Sequence, residues 1–208
     1  MASRALSDSE VAQLLAALPP SGPYRRFVLA MLLTGRRLDE IAGLRASDVD
    51  LVEGTIAVRR TASPGLSGEN ALGPTKGRRA RTVPIAAPLR PIIEDALQGK
   101  TEHDFLFPGL RGGRITSKNL SRALNWKSVR GGIKIFLAEE RLLHWHDLRH
   151  TAAVMLFRSG VSAPDVQAIL GHSSLAVTQI YADTRRDAAR RGGVALSVSR
   201  EKQEPRFN

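Results

Sequence analysis

The 208-residue chain contains no cysteine, so disulfide bonds, thiol nucleophiles and cysteine-ligated zinc are excluded from its chemistry. Aromatic residues are few, and any step that needs a phenol has only two tyrosines to draw on, Tyr24 and Tyr181. No apolar run approaches the roughly 20 residues that a membrane-spanning helix requires. Negative charge is also in deficit. Twenty acidic residues stand against 31 basic ones, a formal net charge of +11. That excess attracts polyanions, though basicity alone fits a ribosomal protein as well as an enzyme.

What is present is the material of one ordinary domain. Hydrophobic residues make up 42% of the chain and recur at helical spacing, which excludes a disordered basic tail. Ser7-Asp8-Ser9-Glu10 reads as a capping box that opens a helix with Val11, Leu14, Leu15 and Leu18 on one face. Pro19, Pro20 and Gly22 close it, and a second apolar helix covers about Tyr24 to Thr34. Tyr24, among Phe27, Val28 and Met31, reads as a packing residue. Two short strands are expected at Thr55 to Arg60 and Arg81 to Ile85, flanking a segment rich in Gly, Pro and Ser. Helices are expected at Leu89 to Leu97 and Thr116 to Lys127, with the basic turn Arg111-Gly112-Gly113-Arg114 between them.

Six residues suited to phosphoryl transfer follow in order: Arg37, Lys76, His146, Arg149, His172 and Tyr181. Guanidinium forks match phosphate oxygens bidentately and keep their charge. Arg37 lies in Leu33-Thr34-Gly35-Arg36-Arg37-Leu38-Asp39-Glu40-Ile41, where Gly35 ends one helix and another begins. Arg37 then projects from a helix start, and Glu40 three residues on can reach back to hold its fork. His146 and Arg149 share a face of the helix opened by His146-Asp147-Leu148-Arg149-His150-Thr151. Near the end, Leu170-Gly171-His172-Ser173-Ser174 precedes Tyr181, with Gly171 capping a helix from about Ala163. Each piece alone is a surface cation or a packing residue in most proteins; the joint order carries the signal. His144, His146 and His150 invite a metal reading, but His146 and His150 enclose Asp147, Leu148 and Arg149, without the glutamate of a zinc helix and with an arginine beside the would-be cation.

Together these motifs resemble the catalytic domain of the tyrosine recombinase (phage integrase) family, from roughly Leu6 to Asp183. That family has a Thr-Gly-x-Arg-x-x-Glu box, a hairpin lysine, a His-x-x-Arg box, a Leu-Gly-His segment and a tyrosine nine residues beyond. Its lysine stands eight residues before a proline, which selects Lys76 ahead of Pro84 over Lys100, Lys118, Lys127 and Lys134. The resemblance implies an α+β fold: a mostly helical catalytic domain with a small antiparallel sheet carrying the lysine. It implies site-specific DNA cleavage and rejoining through a 3′-phosphotyrosyl intermediate, with no metal, cofactor or ATP. Tyr181 would be the nucleophile, Arg37, Arg149 and His172 the transition-state ligands, Lys76 the general acid, His146 the acceptor of the tyrosine proton, and Glu40 their support. Arg78, Arg79, Arg81, Arg111 and Arg114 are candidate DNA contacts.

Residues 1–184 are accordingly expected to form the catalytic domain and 185–208 a C-terminal tail, in which Val194 to Val198 is a candidate segment for exchange between protomers. Expected partners are double-stranded DNA, sister protomers in a tetramer on synapsed DNA from a free monomer, and accessory DNA-bending or directionality proteins, but no membrane; the expected place is the cytoplasm, with the nucleoid. No core-binding domain precedes the first capping box, so an excised fragment is expected, or else a single-domain recombinase resembling the fimbrial inverters. The alternatives in function are a type IB topoisomerase-like relaxing enzyme and a non-catalytic DNA-binding relative.

Overall fold

The computed structural model describes residues 5–62, 72–74, 81–133 and 142–171. The chain divides into two compact units, residues 1–152 and 153–208. In the first, α1 (Asp8–Ala17) opens on the expected capping box: Ser7 Oγ accepts from the Glu10 amide, and the Ser7 amide donates to Glu10 Oε2 at 2.7 Å. Helix α2 (Pro23–Thr34) starts with a proline whose missing amide costs nothing there, and ends at Gly35 in the left-handed conformation, φ 64°. Short α3 (Leu38–Ala42) and a 3₁₀ turn (Ala46–Asp48) follow.

Three strands form an antiparallel sheet in the order β1 (Val49–Asp50), β2 (Thr55–Val58), β5 (Arg81–Pro84), with Ile56 opposite both Val49 and Val83. A separate two-stranded ribbon joins β3 (Arg60–Ala62) to β4 (Leu72–Pro74). The single strand expected over Thr55 to Arg60 is therefore two. Chain direction changes at Arg59, because Ile56 and Val58 are committed to the core while Arg59 and Arg60 both turn to Asp48. β1 is too short to leave an alternating pattern in the sequence.

Helices α4 (Arg90–Leu97), α5 (Ser117–Ala123), α6 (Trp126–Gly132) and α7 (Trp145–Arg158) complete the unit's frame, with the division between units falling inside α7. The helix expected over Thr116 to Lys127 is broken at Asn125, which takes φ 46°, a conformation asparagine tolerates. The break lets Leu124 and Trp126 both enter the core, and Trp126 stacks on Trp145 with ring centroids 3.6 Å apart. One continuous cluster runs from Leu14 and Phe27 through Ile41, Ile56 and Val83 to Ile93, Leu106, Leu120 and Leu148. In the second unit, α8 (Ala163–Leu170) is capped by Ser162 and stops at Gly171, φ 69°, with Val166 and Leu170 buried. Among the described residues no helix is long and apolar enough to cross a membrane.

Candidate phosphate-binding site

The site is built on the sharp turn between α2 and α3. Thr34 Oγ1 donates to Ala30 O at 2.6 Å and accepts from the Arg36 amide at 3.2 Å, so the chain leaves α2 in a fixed direction. Arg37 then caps α3 in extended conformation, φ −66° and ψ 150°. Glu40, only 3% exposed, reaches back: Oε2 accepts the Arg37 amide at 3.0 Å and Oε1 accepts its Nη1 at 3.3 Å. One carboxylate thus holds both the backbone and the fork of Arg37. Arg36 Nη1 lies 3.9 Å from the same carboxylate, and Arg81 of β5 lies 3.7 Å from it.

Helix α7 supplies the opposite wall. Its first turn is closed by Asp147, whose carboxylate accepts the His144 amide at 2.7 Å. His146 and Arg149, one turn apart, share a face and line the same cavity as Arg37. Arg149 is 2% exposed, and its Nη1 donates to Gly35 O at 3.0 Å, tying α7 to the end of α2. The cavity, about 240 Å³, is also lined by Arg36, Asp39, Ser117 and Trp145. Trp145 is braced by its stack on Trp126 and by Nε1 donating to Ser121 Oγ at 3.2 Å. His146 meets His150 edge to face, with centroids 4.8 Å apart.

Electrostatics give this cavity its character. Four guanidinium groups, Arg36, Arg37, Arg81 and Arg149, share Glu40. Burial, with help from the Arg37 and Arg36 charges, lowers Arg149 to about 9; burial lowers Arg36 to about 10 against the opposing pull of Glu40. A guanidinium in a protein keeps its proton. The shifts therefore express how poorly these buried cations are compensated, a cost that an anion between them would offset. Asp39 on the same wall is pushed up by burial, partly countered by Arg114. The arrangement suits a group with several charged oxygens.

With this geometry in view, comparison with known proteins is decisive. A profile of the phage integrase family matches residues 4–187. The chain belongs to that family. The tyrosine recombinase XerC of Oceanobacillus iheyensis is 33% identical over 181 residues, covering 82% of this chain and 52% of its own. The chain spans about half the length of the curated relatives it matches. The crystal structure of XerA recombinase superposes with a TM-score of 0.63 at 26% identity, over 98% of this chain and 65% of that one. The Tn1549 transposon integrase, solved in complex with a circular intermediate DNA, gives 0.70 at 18% identity, over 92% of this chain and 66% of that one. The fold is that of a tyrosine recombinase catalytic domain, mostly helical with a small antiparallel sheet.

Of the residues expected to act, the structure brings Arg37, His146 and Arg149 to one cavity with Glu40 beneath Arg37. Lys76, His172 and Tyr181, and with them Arg78 and Arg79, lie outside the described residues. Arg81 turns inward to Glu40. Arg111 sits on the turn closed by the Gly109 amide donating to Gly113 O, fully on the surface, and Arg114 is near enough to Asp39 to act on its charge. The sequence reading passed over Arg36, Ser117 and Trp145. Arg36 fills the untyped place in the Thr-Gly-x-Arg box, and Trp145 stands beside His146; adjacency to a motif residue was the available signal for both.

Proposed function

We propose that this chain cleaves and rejoins DNA as a site-specific recombinase, with Tyr181 attacking a phosphodiester to form a 3′-phosphotyrosyl link. The observation that carries this reading is the convergence of Arg37, His146 and Arg149 on one cavity whose positive charge exceeds what Glu40 balances. Arg37 and Arg149 would hold the non-bridging oxygens, where charge accumulates as phosphorus becomes five-coordinate, and His172 would join them. The tyrosine proton passes to His146 as the Tyr181 oxygen bonds to phosphorus, and Lys76 protonates the departing 5′ oxygen. Reversal with another strand's 5′-hydroxyl reseals DNA without ATP, since the phosphotyrosyl bond keeps the energy of the phosphodiester. Glu40 fixes Arg37 in place throughout.

In this reading residues 1–184 form the catalytic domain, residues 185–208 exchange between protomers of a tetramer assembled on synapsed DNA, and the protein works in the cytoplasm on the nucleoid. Arg78, Arg79, Arg81, Arg111 and Arg114 would neutralise phosphates around the site, and log affinity should then fall linearly with log salt. The decisive experiment is a denaturing gel for covalent protein–DNA adduct on nicked duplexes, in EDTA, with wild type and Tyr181→Phe. An adduct that requires Tyr181 and survives EDTA is expected. One formed equally by Tyr181→Phe would overturn the nucleophile.

A further inference from the structure

Among the described residues Arg36 has the most buried side-chain nitrogens without a hydrogen-bond partner. It is 1% exposed, and among the described residues none of its Nε, Nη1 and Nη2 atoms has a hydrogen-bond partner. Its nearest carboxylate oxygen, Glu40 Oε2, is 3.9 Å away, and that oxygen already accepts the Arg37 amide at 3.0 Å. Glu40 also faces Arg81, so it is over-subscribed before Arg36 is counted. A guanidinium buried with five unused donors is retained only where a further acceptor compensates it. Arg36 lines the cavity shared by Arg37, His146 and Arg149. A single Nη2 of Arg149 on the same cavity is likewise without a partner.

We infer that Arg36 is a third guanidinium for the reacting phosphate, donating to it from the buried wall of the cavity while Arg37 approaches from the exposed side. The inference rests on the phosphoryl-transfer reading above and adds a ligand to it. The family pattern leaves this position untyped, so the pattern itself assigns Arg36 no role. Its consequence is a site that binds phosphate more tightly, with a ligand-free state burdened by a poorly compensated charge. The lowered value of Arg36, about 10, is the electrostatic face of that burden.

The test uses inorganic phosphate as probe at fixed ionic strength, following the arginine Nε–Hε resonances by NMR and the melting temperature in parallel. The Arg36 resonance is expected to shift with those of Arg37 and Arg149 along one isotherm. Arg36→Met should weaken phosphate binding roughly tenfold or more, the worth of a charge-assisted hydrogen bond. In the absence of phosphate the same variant should melt about 2–4 °C higher, because replacing a poorly compensated buried cation by a well-sized apolar chain removes its cost. Arg36→Lys, which keeps the charge and loses the fork, should fall between.

A destabilised Arg36→Met with unchanged phosphate affinity would make Arg36 a structural counter-ion of Glu40 and overturn the inference. If that variant cannot be purified, a wild-type Arg36 resonance that stays still while Arg37 moves would do the same. Phosphate binding lost in Arg37→Gln but kept in Arg36→Met would sink the Arg36 role and leave the cavity reading standing. Insensitivity to both would sink both. A short duplex that displaces phosphate from all three arginines marks the ligand as a DNA phosphodiester, and a duplex that leaves phosphate bound overturns that assignment.

Discussion

Two buried carboxylates in this molecule are reached by the same local device and end in different surroundings. Glu40 and Asp48 each stand three residues after an arginine and accept its backbone amide, Arg37 at 3.0 Å and Arg45 at 2.9 Å, closing a helical turn. Each is 3% exposed and each gathers further arginines. Around Asp48 those arginines are surface residues: Arg60 donates at 2.5 Å and Arg59 lies 3.7 Å away, with side chains 27% and 55% exposed. Their spare donors are within reach of solvent. Around Glu40, Arg36 and the neighbouring Arg149 are sealed from water at 1% and 2% and keep unused nitrogens. Arginine around carboxylate is therefore not itself the mark of a reactive centre. What sets the Glu40 cluster apart is a surplus of buried cation beside a cavity.

The strongest way to break the comparison is Arg149→Met. Loss of one preorganised donor to a developing oxyanion typically costs about 10²–10³ in rate, and single-turnover adduct formation should fall by that much. Thermal stability should hardly move, because the lost bond to Gly35 O is offset by removal of a poorly compensated charge. A large melting-temperature loss with little loss of rate would place Arg149 with the Asp48 type of arginine.

Next come the two carboxylates themselves. Glu40→Gln frees the fork of Arg37 and should slow adduct formation about 10–100-fold through lost positioning. Asp48→Asn should instead cost about 1–3 kcal/mol of stability, read by urea unfolding, since Arg60 and the Arg45 amide lose a charged acceptor. Its adduct rate per folded molecule should be unchanged. If both variants fail in the same way, the distinction between a scaffold ion cluster and a site cluster is wrong.

The contrast also shows what a sequence can and cannot reveal here. The turn at Gly35, the capping box at Ser7 and the stop at Gly171 are set by neighbours within a few residues, and were legible. Arg37, His146 and Arg149 were legible because each sits in a short typed pattern. Arg36 was not, since nothing local separates it from an exposed cation; the charges that bear on it from Arg81 of β5 and Arg149 of α7 come from far along the chain. The break at Asn125 escaped for the same reason, being imposed by where Leu124 and Trp126 must go. The strand expected over Thr55 to Arg60 ignored the pull of Asp48 on Arg59 and Arg60.

The finest test of the surplus-cation argument is Asp39, the one anion among the described residues that line the cavity. Burial raises the pKa of Asp39 above its ordinary 3.8, with Arg114 opposing. Between the unfolded and folded values the native state binds more protons, so this group's contribution falls as pH rises through that window and its cost is complete at neutral pH. Asp39→Asn should thus stabilise the protein at pH 7, by only about a few tenths of a kcal/mol because the group is partly solvated. The gain should vanish as pH is lowered through about 4. Inorganic phosphate should bind a few-fold more tightly to the variant at neutral pH, since a like charge leaves the cavity. Urea unfolding across pH beside phosphate titration reads both. A gain that persists below pH 3 would trace to the first turn of α3 rather than to charge, and unchanged phosphate affinity would mean that the cavity's field is set by the four arginines and Glu40 alone.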